Sequence, residues 1–259
     1  MKNSQFEQFK SIIKNENSFN MSNGLPNSLL LKKEGELSVY YAPFEYVNKN
    51  AKLVIVGITP GLQQAVNALN QAKIGIENNL GNDDILLSAK GVGSFSGPMR
   101  NNLINMLQYM NIHKKLDINS CAELFSTQMD KVHFTSVLSN PVFYKGKNYN
   151  GTPSMLNTPI LKQLINECFM QNIQQLNGAL FVPLGPKVTA VMQYLSQQGQ
   201  LQEKQILNGF PHPSGANAER IAYFLGKKTK EALSVKTNSD QIDFHKNALL
   251  TKLDAFSFA

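Results

Sequence analysis

The run of apolar residues from Leu53 to Val56, which ends at Gly57, limits the possible folds of this chain more than any other feature. Four consecutive apolar residues are typical of a strand that is buried on both faces, and such strands belong to parallel sheets covered by helices. A segment with helical spacing of its apolar residues follows directly, over residues 62–78. We therefore expect the fold to be built from units of a strand followed by a helix.

The same pattern recurs along the chain. Further strands are predicted over residues 132–138 and 179–184, and a short fourth strand at 206–207. Helices are predicted over residues 5–16, 98–110, 158–175, 186–195, 217–230 and 239–253. Strands that alternate with helices indicate an α/β fold, in which a parallel sheet carries helices on both faces.

Three segments lack a regular pattern. Residues 22–50 are predicted to form an irregular lead-in with one or two short strands, residues 80–97 a long loop with four glycines, and residues 141–157 a basic loop with interleaved aromatic side chains. Loops of this length are often functional. Because no repeat and no clear boundary is visible, we expect residues 1–50 to pack on a single globular unit of residues 51–259.

The composition excludes several classes of protein. Apolar residues make up 42% of the 259 residues, which excludes a disordered chain, a collagen and a coiled coil. No apolar run approaches the roughly 20 residues that span a membrane. Lys and Arg number 25 against 18 Asp and Glu, a net charge of +7, which favours a polyanionic partner or an acidic membrane surface.

Cysteine usage and the N-terminus indicate a cytoplasmic protein. The two cysteines, Cys121 and Cys168, form neither a disulfide framework nor a metal cluster, so a reducing compartment fits. The first six residues contain no apolar stretch of the signal-peptide type. The histidines show no metal-ligand spacing, and we expect neither a metal nor a cofactor.

Four segments at predicted strand ends could carry chemistry, because ligands of open α/β sheets bind beyond the carboxyl ends of the strands. They are Gly57-Ile58-Thr59-Pro60-Gly61, Gly93-Ser94-Phe95-Ser96-Gly97, Leu184-Gly185-Pro186-Lys187 and Pro211-His212-Pro213-Ser214-Gly215-Ala216-Asn217. Phe95 could stack on a nucleobase, or it could anchor its loop. The first and third segments could present backbone groups to a ligand or, at a helix N-terminus, to phosphate. An ordinary strand-to-helix connection explains those two more simply.

The fourth segment holds the most rigidly placed histidine of the chain. Two prolines bracket His212, and Ser214 or Asn217 could cap the next helix or bind phosphate. A histidine needs such fixation when it donates a hydrogen bond to developing negative charge. The alternative is a histidine that only satisfies backbone groups in a turn. The lysines within residues 227–230 could also contact phosphate, and a solvated helix face explains them equally well.

Taken in order, the four segments resemble the uracil-DNA glycosylase superfamily. The Gly-x-x-Pro-Gly pattern of residues 57–61 is similar to the motif that positions the attacking water, and His212-Pro213-Ser214 is similar to the motif whose histidine stabilises the leaving base. Phe95 with Gly97 is similar to the base-stacking segment, and Leu184-Gly185 to a turn that binds the DNA backbone. The resemblance covers about residues 50–230. It implies a three-layer α/β/α sandwich with a central four-stranded parallel sheet.

The function implied by the resemblance is that of a monofunctional DNA glycosylase in base excision repair, which hydrolyses the N-glycosidic bond of uracil or another damaged base. The target nucleotide would be flipped out of the helix. His212 would donate a hydrogen bond to the base oxygen as the bond breaks, and water would attack the oxocarbenium-like sugar from the other side. The implied partner is single- or double-stranded DNA containing a damaged base, bound by a monomer without a cofactor or a membrane contact.

The residues that the resemblance assigns to the site form three groups. The catalytic residues would be His212 and Thr59. The base would be bound by Gly57, Ile58, Pro60, Phe95, Ser136 and Asn140. The DNA backbone would be bound by Gly61, Gly185, Lys187, Ser214, Gly215 and Asn217.

Several positions depart from the family pattern. To orient the water, the family usually has Asp or Asn at the position of Thr59, or Glu at the position of Ile58. Because a threonine hydroxyl carries no charge, we expect slow hydrolysis. The pyrimidine-reading Asn falls near Ser136, and Asn140 could replace it if the loop bends back. Small residues at 215–217 stand where a wedge usually enters the duplex, which favours single strands. An iron–sulfur branch of the family needs four cysteines, so no cluster is expected.

Two other functions stay open. A glycosylase-fold protein that binds DNA or an altered nucleotide without releasing a base is favoured by Thr59 and Ser136. An enzyme acting on a free nucleoside or another glycoside is disfavoured by the net charge of +7, since a small neutral substrate needs no such charge.

Overall fold

The chain is a mixed α/β protein in a computed structural model, which describes residues 5–94, 98–176 and 178–258. The strands are Leu30–Glu34 (β1), Leu37–Tyr40 (β2), Leu53–Gly57 (β3), Val132–Ser136 (β4), Val142–Tyr144 (β5), Lys147–Asn148 (β6) and Leu180–Pro183 (β7). The α-helices are Gln5–Asn15 (α1), Leu62–Glu77 (α2), Asn82–Gly93 (α3), Pro98–Tyr109 (α4), Ile112–Lys115 (α5), Pro159–Leu164 (α6), Met170–Ile173 (α7), Pro186–Gln197 (α8), Ala218–Phe224 (α9) and Ser239–Ala255 (α10).

The chain divides into two compact units, each assembled from three stretches of sequence. Unit 1 consists of Met1–Val47, Ile58–Phe95 and Thr135–Gln171. Unit 2 consists of Asn48–Gly57, Ser96–Phe134 and Asn172–Ala259. The expected division between residues 1–50 and 51–259 stays a prediction.

A three-stranded parallel sheet, in the order β4-β3-β7, confirms the predicted α/β class. Strands β3 and β7 pair in parallel from Leu53 opposite Leu180 to Val56 opposite Pro183. Every residue of β3 is buried, as its continuous apolar run predicts. The segment predicted as a fourth strand makes a single parallel bridge, between Ile206 and Phe181, and forms no strand.

An antiparallel sheet in unit 1, in the order β1-β2-β5-β6, corrects the predicted basic loop at 141–157. The lead-in does contain two short strands, β1 and β2, as expected. Strand β5 pairs with β2 through Val39 opposite Val142, and both of these side chains are buried. Lys145 (φ 52°) and Gly146 (φ 71°) then turn the chain back into β6, since two positive φ values favour a tight hairpin.

Helix α3 corrects the predicted loop at 80–97. Its apolar face, including Ile85, is buried in the core of unit 1, which also contains residues of α1 and α2. Glycine here serves close packing rather than a turn, because a Cβ on Gly75 would lie 2.8 Å from Cγ1 of Ile85. A Cβ on Gly93 would lie 2.7 Å from Cε1 of Phe44. The final residues of the predicted loop, including Phe95 and Gly97, lie outside the described residues.

Two predicted helices differ from the structure in their interior or extent. The helix predicted over 158–175 contains a π-helical turn at Ile165–Phe169 between α6 and α7. The helix predicted over 217–230 ends at Phe224. Within the described ranges, no helix combines the length and apolar content needed to cross a membrane.

Candidate functional site

The loop of residues 57–61 connects the end of β3 to α2. Within unit 1, the Thr59 side chain forms hydrogen bonds with the backbone of residues 140 and 142. The Thr59 hydroxyl donates a hydrogen bond to the carbonyl oxygen of Asn140 (2.9 Å) and accepts one from the backbone N–H of Val142 (3.0 Å). The backbone adds a hydrogen bond from Leu138 N–H to the carbonyl of Ile58 (3.0 Å). Thr59 is therefore a bridge between two loops.

These contacts limit what the Thr59 hydroxyl can do chemically. A hydroxyl has one proton to donate and two lone pairs to accept with. The proton is directed at Asn140 and one lone pair receives Val142. One lone pair is left, which is enough to hold a water by one of its hydrogens but supplies no negative charge.

The N-terminus of α2 is capped by a side chain from the segment predicted to be a basic loop, residues 141–157. The carboxamide oxygen of Asn148, in β6, accepts a hydrogen bond from the backbone N–H of Leu62 (2.9 Å). The Gly61 N–H donates to the carboxamide of Gln64 (3.0 Å). Two amide groups at this helix end thus already have partners, which weakens the predicted role of Gly61 in binding DNA.

The two residues proposed to read the base lie at the end of β4 and after it. Ser136 is the last residue of β4 and is half-buried. Asn140 is half-buried, and its side-chain amide donates to the carboxamide oxygen of Gln5 (3.3 Å). Beside it, the Ser139 hydroxyl is buried without a hydrogen-bond partner among the described residues.

In unit 2, the turn after β7 lies against His212. Gly185 has φ +90° and is buried, and a Cβ at this position would lie 3.5 Å from Cβ of His212. A positive φ favours glycine, so the sequence Leu184-Gly185-Pro186 fits a sharp entry into α8. A backbone hydrogen bond joins the ends of β7 and β3, since Leu184 N–H donates to the carbonyl of Val56 (2.9 Å).

The His212 imidazole is held in one tautomer. The backbone N–H of Ser214 donates a hydrogen bond to Nδ1 of His212 (3.3 Å), so Nδ1 is an acceptor and the proton lies on Nε2. Burial lowers the pKa of His212 below its ordinary value, because desolvation disfavours the charged ring. The side chain is therefore a neutral donor at Nε2 near neutral pH.

The segment around His212 is fixed from several sides. The Asn102 amide, in α4, donates to the carbonyl of Pro213 (2.9 Å). The Asn217 amide donates to the Ser214 hydroxyl (3.1 Å), and Arg220 donates to the Asn217 carboxamide oxygen (2.8 Å). Ser214 and Asn217 thus stabilise each other.

The predicted site residues fall in both units. Those in unit 1 are Ile58, Thr59, Pro60, Gly61, Ser136 and Asn140; those in unit 2 are Gly57, Gly185, Lys187, His212, Ser214, Gly215 and Asn217. The structure joins Thr59 to Asn140 in unit 1, and Gly185 to His212 in unit 2. Lys187 and Gly215 are exposed. Phe95 lies outside the described residues.

Two of the three lysines within residues 227–230 are neutralised. Lys228 forms an ion pair with Glu219 (2.6 Å), and Lys230 forms one with Asp240 (2.5 Å). This segment is therefore a less cationic surface than its sequence indicates. Across the described ranges, no group of three or more His, Cys, Asp or Glu side chains is placed to hold a metal ion.

Asn102 and Asn148 were not predicted to contribute to the site. Both form hydrogen bonds with residues that are remote in sequence. Asn102 and Pro213 are 111 positions apart, and Leu62 and Asn148 are 86 positions apart. No local pattern marks such contacts. The only available signal was the presence of polar side chains near the expected site.

Comparison with known proteins finds one informative similarity. The chain is 36% identical over 230 residues to the uncharacterized protein YoxB of Bacillus subtilis (strain 168), across 88% of this chain and 90% of that protein. No protein-family model matches the chain, and no solved structure matches it.

Proposed function

The chain belongs to the family of the Bacillus subtilis protein YoxB, and we propose that it is a monofunctional DNA glycosylase that removes uracil or another damaged base from DNA. In this reaction the bond between C1′ of the sugar and the base nitrogen breaks, and the base leaves with the electron pair. A water oxygen bonds to C1′ and its proton passes to solvent. The base takes up a proton once it is released.

The observation that carries this proposal is the neutral, fixed imidazole of His212. The leaving base accumulates negative charge on a ring oxygen, which a preorganised donor stabilises best in a site shielded from water. His212 supplies such a donor at Nε2, because Ser214 N–H occupies Nδ1 and burial lowers the imidazole pKa. A neutral donor offers this hydrogen bond without giving up its proton to the base.

The side chain proposed to position the attacking water, Thr59, carries no charge. We propose that Thr59 holds the attacking water through its remaining lone pair, since its proton is directed at Asn140. A hydroxyl does not compensate the positive charge of an oxocarbenium-like sugar as a carboxylate does. We therefore expect base release slower than in an enzyme with an acidic residue at this position.

The finer architecture is part of the same proposal. We infer a uracil-DNA glycosylase-like sandwich in which the segment at residues 206–207 takes the place of the fourth strand. Support comes from the parallel bridge of Ile206 to Phe181 and from the hydrogen bond of Leu207 N–H to Phe181 O (2.7 Å). Both contacts extend the sheet beyond β7.

The proposed partner is DNA carrying a damaged base. The net charge of +7 supplies non-specific attraction for phosphates. Ser214 and Asn217 form a polar turn next to His212, and exposed Gly215 leaves room for a strand to approach closely. Single-stranded substrates are favoured, because Gly215, Ala216 and Asn217 are too small to wedge into a duplex.

The experiment that tests the proposal is a base-release assay on single- and double-stranded oligonucleotides. Substrates containing uracil, hypoxanthine or a mismatch are incubated with purified protein and treated with alkali, which cleaves at abasic sites. We expect cleavage on at least one substrate, faster on single strands. The absence of cleavage on every substrate, with protein shown to be folded by circular dichroism, contradicts the proposal.

A second function is favoured by the Thr59 contacts. The Thr59 hydroxyl, which bridges Asn140 and Val142, stabilises the loop instead of activating water. Such a role is expected in a protein that binds DNA or an altered nucleotide without hydrolysis. Oligonucleotide binding that survives His212→Ala, together with no base release by the wild type, supports this second function. Base release that His212→Ala abolishes supports the first.

A further inference from the structure

Unit 2 contains a cavity of about 490 Å³ whose wall includes neither of the proposed catalytic residues, His212 and Thr59. Its wall is formed by Gly185 and the first turns of α8, by residues 208–211, and by Arg220, Lys236, Asn238, Gln241, Ile242 and His245. The volume falls in the range of roughly 300–1,000 Å³ that is typical of small-molecule sites. Gly185 and Pro211 belong to the wall but the His212 side chain does not, so the cavity adjoins the histidine segment without including the imidazole.

The charge of the cavity wall is positive. Arg220 and Lys236 contribute to the wall, and no described Asp or Glu does. The Arg220 guanidinium donates to neutral acceptors only, the Asn217 carboxamide (2.8 Å) and the Lys236 carbonyl (3.3 Å). Among the residues described, neither cation has a carboxylate within 4.0 Å, in contrast to Lys228 and Lys230 nearby.

Carboxamides and apolar side chains complete the wall. Gln193, Asn238 and Gln241 face the cavity. The Asn238 oxygen already caps α10 by accepting from Gln241 N–H (3.0 Å), which leaves the Asn238 amide hydrogens to donate. Phe210 and Ile242 add apolar surface. The wall therefore suits a ligand with an anionic group, a hydrogen-bonding edge and an apolar face.

The start of α8 strengthens the attraction for an anion. The helix begins at Pro186, which is part of the cavity wall, so the positive end of its dipole lies at the cavity. Its effect adds to that of two uncompensated side-chain cations. Together they match one phosphate group better than a neutral ligand.

We propose that this cavity binds a free nucleoside monophosphate. Arg220 and Lys236 would hold the phosphate, the carboxamides would bind the sugar hydroxyls and the base edge, and Phe210 and Ile242 would pack against the base. Two cations fit one phosphate, and the volume fits one nucleotide. The inference does not depend on the glycosylase proposal, because it uses neither His212 nor Thr59.

Isothermal titration calorimetry of the full chain at low salt tests it, with UMP and AMP as ligands, and uridine and inorganic phosphate as fragments. The cavity variant replaces both cations, Arg220→Gln with Lys236→Gln. The matched control, Lys204→Gln with Lys227→Gln, removes the same charge from two exposed lysines outside the cavity. We expect affinity for the monophosphates to fall at least about tenfold in the cavity variant and to stay within about twofold in the control.

A second variant keeps the test decisive if the double substitution perturbs folding. Gln193 is exposed, so Gln193→Glu adds a negative charge to the wall without burying it. It should also weaken monophosphate binding, and uridine should bind more weakly than UMP. Unchanged melting temperatures establish that the variants are folded.

Three results would overturn the inference: no binding of either monophosphate by the folded wild type, equal losses in the cavity and control variants, or binding of single-stranded oligonucleotides alone that depends on Arg220 and Lys236. The last would make the cavity a contact for the DNA backbone. The variant His212→Ala should keep its affinity for UMP. A lack of base release would therefore contradict the glycosylase proposal alone, and a lack of UMP and AMP binding would contradict the cavity proposal alone.

Discussion

At the scale of single residues, the proposed reaction depends on the protonation and tautomer of His212. Two flanking prolines mark this residue in the sequence, and the structure explains why its ring is neutral. The Ser214 N–H occupies Nδ1, and burial lowers the pKa. The tautomer was not predictable, because the hydrogen bond depends on how the turn after Pro213 folds.

The first prediction concerns the titration of His212. Proton NMR of its Cε1–H should show a pKa below the ordinary value of 6.5, and nitrogen shifts should show the proton on Nε2. Since the unfolded chain binds a proton near pH 6.5 and the folded chain only at lower pH, the free energy of unfolding should fall as the pH falls below that value. A pKa at or above 6.5, or an Nδ1–H tautomer, contradicts the assignment.

The second prediction separates the structural role of Thr59 from its chemical one. Thr59→Val removes the partner of the Asn140 carbonyl and of the Val142 N–H. The free energy of unfolding should fall by about 1–3 kcal/mol, as measured by urea denaturation. Thr59→Ser keeps the hydroxyl and should lose clearly less. Equal losses in the two variants would show that the hydroxyl bridge contributes nothing.

At the scale of secondary-structure elements, the strongest sequence signals were the most accurate. The continuous apolar run predicted β3, and helical spacing predicted α2, α4 and α8, each within a few residues. The two segments predicted as loops, residues 80–97 and 141–157, contain a helix and two strands instead. Glycine is read as a loop signal in sequence, whereas Gly93 serves the contact with Phe44 in α3. Strand β5 depends on a partner, β2, about 100 residues earlier in the chain, which no local pattern reveals.

The third prediction tests the close packing of α3. In Gly93→Ala the new Cβ would lie 2.7 Å from the Phe44 ring and 3.1 Å from the Gln64 carbonyl. The ring and the helix must move apart, and we expect a loss of about 1–3 kcal/mol in the free energy of unfolding. Gly215→Ala is the control, because no atom lies within 4 Å of its Cβ. Similar stabilities for both variants would contradict the described packing.

The fourth prediction concerns the buried Lys90 on α3. Its ammonium donates to the carbonyls of Phe44 (3.0 Å) and Tyr46 (2.5 Å), and burial lowers its pKa from 10.5 to about 7. Above pH 7 the unfolded chain retains a proton that folded Lys90 loses, so stability should rise between pH 7 and 9 by up to about 1 kcal/mol per pH unit. Denaturation at both pH values should show a smaller rise in Lys90→Met. Equal rises would contradict the assignment.

At the scale of the whole molecule, the net charge is the feature that sequence alone establishes. Where that charge acts could not be predicted, since Lys228 and Lys230 are paired with acids while Arg220 and Lys236 are not. The similarity to YoxB covers 88% of this chain and 90% of that protein. The same experiments can therefore be repeated on that relative.

The fifth prediction is that DNA binding depends steeply on salt. If a single strand contacts about four phosphate-binding positions, its affinity should fall roughly 30- to 100-fold between about 50 and 200 mM salt. Fluorescence anisotropy with a labelled single-stranded oligonucleotide measures this slope. An affinity that does not change with salt would indicate a small or neutral ligand instead of DNA.

Single-turnover base release by wild type and by His212→Ala, on the best substrate of the oligonucleotide screen, shows whether the imidazole stabilises the leaving base. His113→Gln serves as a control at a histidine outside the proposed site, and melting temperatures confirm folding. Removing a preorganised donor to developing charge should slow base release by about 100-fold or more, with the control close to wild type. Release by folded His212→Ala at the wild-type rate would contradict the account.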